Sequence, residues 1–136
     1  MRTDDEGAFS RELFGTDTLD AGFFSWDIPE NILYADGALA QLFGVDPSQA
    51  ERGLPIEAYL DRVHPDNRSQ LAKAIRSSII AHHNQQETYR VLDAEGRYVT
   101  VASFGRGFRD RNGVPQRYVG IVVRVDDIET GAGRIF

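Results

Sequence analysis

Residues 87–125 read ETYRVLDAEGRYVTVASFGRGFRDRNGVPQRYVGIVVRV, a stretch in which apolar side chains recur with a period of two. Glu87 to Leu92 reads as a strand, Asp93-Ala94-Glu95-Gly96 as a tight turn, and Tyr98 to Phe108 as a long strand. Asn112-Gly113 is a strong hairpin signal, because both residues accept a positive φ, and Arg117 to Val125 follows as a last strand. Three strands joined by tight turns make an antiparallel meander. In the last strand Val119, Ile121, Val123 and Val125 share one face, and Tyr118, Gly120, Val122 and Arg124 share the other.

Upstream of this stretch the period changes. Asp36 is a good N-cap, Leu39, Leu42 and Phe43 fall on one helical face, and Gly44 is a natural stop. Asp46-Pro47-Ser48-Gln49 places a cap, a first-turn proline and a capping-box glutamine at the right offsets, with Gly53 closing the helix. Ile56, Tyr59, Leu60 and Val63 stripe a third helix. His64-Pro65-Asp66-Asn67 breaks it, and Asp66 is expected to cap a longer helix to about His83, with Leu71, Ile75, Ile79 and His82 along one side. Before the helices, Gly22 to Ile28 alternates, Pro29-Glu30-Asn31 turns, and Ile32 to Ala35 returns as a second strand. A short helix is expected from Ala8 to Phe14, ended by Gly15. The order is hairpin, helices, meander. Helices inserted as one block between strands predict an α+β fold, with the helical block on one face of an antiparallel sheet.

The chain has 136 residues, the size of one domain, and 41% of them are hydrophobic. With no cysteine, it can form no thiolate metal site, no cysteine nucleophile and no flavin–cysteine adduct. Fifteen basic against twenty-one acidic residues give a net charge of −6 without a basic cluster, which argues against nucleic acid as a partner. No apolar run approaches the ~20 residues of a membrane span, and the acidic start is unlike a signal peptide, so a cytoplasmic protein with no membrane partner is expected.

Several local motifs occur together at family-like distances: Phe24-Ser25-Trp26-Asp27, Tyr34-Ala35-Asp36, Leu42-Phe43-Gly44-Val45 and Val63-His64-Pro65-Asp66-Asn67-Arg68. They continue with Glu87-Thr88-Tyr89-Arg90-Val91, the turns Asp93 to Gly96 and Asp110 to Gly113, and Gly120-Ile121-Val122-Val123. In this combination the chain resembles the PAS family, and most closely the subgroup common in bacterial sensor histidine kinases. The resemblance spans Gly22 to Ile128. It implies a five-stranded antiparallel sheet with a block of short helices on one face and a short N-terminal cap helix. The expected division is residues 1–21 as tail and cap helix, 22–128 as the domain, and 129–136 as a C-terminal tail. The family often has Trp where Tyr98 stands. Asp126-Asp127-Ile128-Glu129-Thr130 is similar to the family's closing motif, which usually leads to an output domain; the untagged start favours a single-domain protein.

The resemblance also implies that Phe24, Trp26, Val99, Val101, Ser103, Gly105, Gly120 and Val122 face the helices. All of these except Val99, with Phe43, Tyr59, Ile75 and Ile79 from the helical block, are the candidates for lining a ligand cavity. Either the small residues Ser103, Gly105 and Gly120 leave room for a small ligand, or Trp26, Phe43 and Tyr59 fill the gap. His82 is the one haem-ligand candidate, because haem-binding relatives use a histidine of this helix; a histidine near a helix C-terminus equally favours the dipole. No cofactor is expected. His64 reads as part of a helix junction, since no serine or second base stands at catalytic spacing.

The same alternation leaves Phe23, Phe104, Val119, Ile121 and Val123 on the outer sheet face, where polar residues belong if water covers it. Such a patch is expected to be covered, in part by Phe9, Leu13 and Phe14, and beyond them by a second copy or a partner such as a sensor histidine kinase. Two functional readings follow. One is a non-catalytic sensory and protein-interaction module, a homodimer that takes a small ligand in its core. The other is a small α+β pocket enzyme of isomerase or dehydratase type, which would need an acid–base residue on the inner face.

Overall fold

Asp36 joins the first helix to the first strand. One carboxylate oxygen accepts the Leu39 N–H at 3.0 Å, capping the helix, and the Phe23 N–H at 3.1 Å. Gly22 beside it has no Cβ, and one would overlap Leu39. In a computed structural model, which describes residues 21–81 and 83–125, this junction opens the following series. The strands β1 (Gly22–Asp27) and β2 (Ile32–Ala35) lead to the helices α1 (Gly37–Phe43), α2 (Pro47–Arg52), α3 (Glu57–Leu60) and α4 (Pro65–Ala81). The strands β3 (Gln85–Leu92), β4 (Tyr98–Arg109) and β5 (Pro115–Arg124) follow. All strand pairs are antiparallel, in the order β2-β1-β5-β4-β3, so the first strand pairs with the last. This is the expected five-stranded α+β architecture.

The two meander turns use the same device. Asp93 accepts the N–H groups of Glu95 and Arg97, and Asp110 accepts those of Asn112 and Val114, all at 2.9 Å. Gly96 and Gly113 then take φ of 79° and 81°, a left-handed conformation that a side chain would strain. The alternation of β4 and β5 buries Val101, Ser103, Tyr118 and Val122 against Leu39, Phe43, Tyr59 and Leu71 of the helical layer. Arg62 ties this layer to the sheet. Its guanidinium donates to the carbonyls of Phe43, Leu92 and Asp93 at 2.8, 3.1 and 3.2 Å. Two isolated bridges complete the attachment, Leu33 with Leu54 and Val63 with Val91.

Three expectations need correction. The third helix stops at Leu60, because Val63 leaves the helical path to bridge Val91 and is buried there. The long helix is capped by His64 and not by Asp66: Pro65 takes the first helical position, so the His64 ring nitrogen accepts the Asp66 N–H at 3.1 Å. Within α4 the fully buried residues are Leu71 and Ser78, and Ile75 is half-buried. The expected helix over residues 8–14, with Phe9, Leu13 and Phe14, lies outside the described residues, as do His82 and the C-terminal tail.

The glycines give a paired stability test. A Cβ on Gly120 would fall on the Phe104 carbonyl and the Phe24 ring, whereas one on Gly37 meets nothing within 4 Å. Gly120→Ala is expected to cost about 1–3 kcal/mol in urea unfolding, and Gly37→Ala to add about 0.4–1 kcal/mol. Equal midpoints for the two variants would contradict this account of the β4–β5 contact.

Candidate functional site: a core cavity and an apolar sheet face

The inner face of the sheet carries an aromatic group whose members meet across strands. Phe24 of β1 stacks with Tyr118 of β5 at 6.1 Å, and Trp26 meets the same ring edge-on at 6.5 Å. From the helical layer, Phe43 meets Tyr59 at 5.5 Å and Tyr89 of β3 at 6.5 Å. Between the two groups lies a cavity of about 50 Å³. Its wall includes Phe24, Trp26, Phe43, Tyr59, Ile75, Ser103 and Val122, seven of the residues that sequence reading proposed. Leu33, Leu39, Ile56, Leu60, Val63, Leu71, Gln85, Tyr89 and Tyr118 complete it.

Four proposed residues do not line this space. Val101 is fully buried in the surrounding core. Ile79 faces an open cleft of about 520 Å³ at the end of α4, with Ile28, His83, Arg106 and Pro115, where the Arg109 guanidinium binds the carbonyls of Ile79 and Ile80. Gly105 and Gly120 are small for another reason than a ligand. The Tyr118 ring lies where a Gly105 side chain would stand, and the Phe24 ring closes on Gly120. The space gained by omitting two side chains is filled by neighbouring rings.

Sequence reading found Tyr59 and Ser103 but missed Gln85, Tyr89 and Tyr118 in this wall. Tyr118 donates its hydroxyl proton to Gln85 Oε1 at 3.0 Å, and Tyr89 belongs to the same wall. Parity along β3 could have found Gln85 and Tyr89, since these and Val91 alternate with the exposed Gln86 and Thr88. Two polar atoms in the wall are buried without a partner, the Tyr59 hydroxyl and the Gln85 Nε2. Trp26, expected to be buried, is half-buried, because its indole N–H reaches out of the core to Asn31 Oδ1 at 2.9 Å. Asn31, at a positive φ of 52°, also accepts the Ile56 N–H and donates to Glu57, so the β1–β2 turn is fastened to α3.

The outer face carries one apolar row across three strands: Phe23 on β1, Ile121 on β5 and Phe104 on β4 stand opposite one another. Phe23 is 53% exposed and Phe104 36%, while Val119 and Ile121 are half-buried. Val123, proposed for the same open face, is only 6% exposed beside Ala102, so it is already covered and adds nothing to the patch. Toward the other end the face turns polar. Arg117 donates to the Ser25 hydroxyl at 2.8 Å and lies 3.7 Å from Asp27.

Burial pushes the Tyr59, Tyr89 and Tyr118 hydroxyls up to about 12, from an ordinary value of 10.0. For Tyr89 and Tyr118 a hydrogen bond opposes the shift and the nearby charge of Glu87 adds to it. A phenol at that value is neutral at neutral pH and is a poor general base there. Among the described residues, no group of three His, Cys, Asp or Glu side chains is placed to hold a metal ion.

Comparison with known proteins fits this geometry. The sequence profile of the family described as the PAS fold matches residues 32–122. No curated protein matches the sequence. Among solved structures, a sensory box histidine kinase/response regulator from Burkholderia thailandensis superposes with a TM-score of 0.70 at 19% identity, covering 92% of each chain. The N-terminal domain of a diguanylate cyclase with PAS/PAC sensor from Marinobacter aquaeolei gives 0.68 at 17% identity, over 77% of this chain and 94% of that one. A PAS domain from Colwellia psychrerythraea gives 0.60 at 15%, over 85% and 94%.

The three phenols make an alkaline test. Their folded value lies above the unfolded one, so the native state holds more protons between pH 10 and about 12. Their contribution to stability is complete below the unfolded value and is lost as pH rises through the folded one. Phenolate absorbance of the folded protein at pH 11 should therefore rise sharply on adding urea, and the urea midpoint should fall from pH 9 to pH 11.5. Ionisation of every tyrosine together near pH 10 in the folded protein would contradict the burial of these rings.

Proposed function

We propose that this chain, which belongs to the PAS-fold family, is a non-catalytic sensory and protein-docking module of bacterial signal transduction. Its core cavity receives the signal and its outer sheet face meets the protein partner. The observation that carries the reading is the row Phe23, Ile121 and Phe104, an apolar strip across adjacent strands with phenylalanines 53% and 36% exposed at its ends. Burying side chains of this kind contributes about 1.5–3 kcal/mol each, so a strip left in water favours association. A second copy of the chain, or a partner such as a sensor histidine kinase, fits such a strip; domains of similar fold occur in a histidine kinase and a diguanylate cyclase. A two-fold arrangement would use the strip twice.

A cytoplasmic location accords with this role. Among the described residues no helix is long and apolar enough to cross a membrane. The pocket-enzyme reading finds less support. An isomerase or dehydratase needs an acid–base side chain at the substrate, and the cavity wall offers tyrosines, one glutamine and one serine but no histidine or carboxylate. A cavity of about 50 Å³ also favours a small ligand over a haem or flavin.

Ile121→Glu tests the docking face. Ile121 is half-buried in the middle of the strip, so the variant is expected to keep its far-ultraviolet spectrum and cooperative melt while losing association in sedimentation. A charge there would be stranded without a partner only in the complex. Phe23→Glu, at the more exposed end of the strip, should behave alike and serves if Ile121→Glu is unstable. Normal association by a folded variant would place the interface elsewhere.

A further inference from the structure

Two side chains in the cavity wall are more than nine-tenths buried and carry a polar atom without a partner. Tyr59 is 4% exposed, and its hydroxyl makes no hydrogen bond. Gln85 is 5% exposed; Tyr118 occupies its Oε1 at 3.0 Å, which leaves Nε2 unpaired. One belongs to the helical layer and the other to the sheet, on either side of the same cavity. An unmade hydrogen bond in an apolar interior costs about 1–3 kcal/mol, and since both residues line the same cavity, an occupant that pairs with them would relieve that cost.

The chemistry of the wall narrows what that occupant is. No lining residue is Lys, Arg, His, Asp or Glu, so a charged ligand would enter without a counter-charge and lose its hydration. The hydroxyl of Tyr118 is already engaged. Most of the rest is hydrocarbon or aromatic, including Phe24, Leu39, Ile75 and Val122. A single water could pair with both atoms but needs only about 10–15 Å³, which leaves most of the space of about 50 Å³ empty. A cavity of about 50 Å³ has room for about four heavy atoms, at about 10–15 Å³ for each water-sized sphere.

We infer that the core cavity binds a short neutral molecule of about four heavy atoms, an amide or alcohol. Its oxygen accepts from Gln85 Nε2, and its polar hydrogen or oxygen pairs with the Tyr59 hydroxyl. This names the ligand class for the sensory reading above and rests on it. Occupancy would link α3 to β3 by a path that the protein's own side chains leave incomplete.

Three probes of nearly one shape and different charge test this: acetamide, acetate and acetamidinium, each titrated into the full chain and followed by ¹H–¹⁵N spectra. The expected result is saturable binding of acetamide, seen at the Gln85 side-chain amide and at backbone amides around Tyr59, with acetate and acetamidinium at least tenfold weaker. Tyr59→Phe removes one oxygen only, and Gln85→Met keeps the side-chain volume. Each should weaken acetamide about tenfold, the worth of one hydrogen bond, while Gln86→Met on the opposite face of the strand changes nothing. Tyr59→Phe alone decides the matter if Gln85→Met does not fold. A cavity holding water only, with no saturable shift, overturns the inference, as does equal or tighter binding of either ion. The readout does not depend on association through the outer face, so failure here and failure of the docking reading are told apart.

Discussion

Two adjacent positions without a Cβ, Gly105 and Gly120, decide how the interior is filled. They face each other across β4 and β5, and no side chain stands between them. Tyr118 can therefore lie flat over Gly105, and Phe24 can close on Gly120. From that position the Tyr118 hydroxyl reaches Gln85 and fixes which end of its amide is left unpaired. A methyl group at either glycine would move the rings, and with them the polar wall. The chemistry of the cavity thus depends on a backbone contact that contributes no polar atom to it.

The helical layer is held by side chains that bind backbone, a cheaper way to position short helices than their own propensity. Helices of four to seven residues such as α1, α2 and α3 are not stable alone. Asp36, Asp46, Asn31 and Arg62 supply the missing order, each by hydrogen bonds to peptide groups. Arg62 makes the most bonds to peptide groups among these. Its guanidinium spans the end of α1 and the end of β3, and Gly44 leaves the space it occupies.

Alternation and turn chemistry are local, so the strands, the Asp-to-Gly turns and the face of each strand residue were legible in the sequence. Parity set Phe24 and Trp26 on one face and Phe23 on the other; which face meets the helices came from the resemblance to the PAS family. What was not legible depended on contacts distant in sequence. The small residues Gly105 and Gly120 read as free volume, but whether volume stays free depends on which ring turns into it; Tyr118 was assigned to the right face without its ring being placed. Gln85 lies before the point where the strand was expected to begin, so its parity was never considered. His64 was read as a junction residue, yet its ring caps α4, a role its spacing from Asp66 conceals.

Both margins of the sheet show one further consequence. On β2, Leu33 exchanges backbone hydrogen bonds with Leu54 at 2.7 and 3.0 Å. On β3, the Arg90 carbonyl accepts from His64, Leu92 donates to the Arg62 carbonyl, and the Arg90 N–H is taken by Asn67. The outermost strands thus spend these peptide groups within the chain, where an unprotected margin would invite another molecule to add a strand. Over these stretches, growth of the sheet from copy to copy is blocked by the loops that also shape the cavity. Along them a neighbour has only side chains to read, which carry sequence information, and not the bare backbone, which carries none.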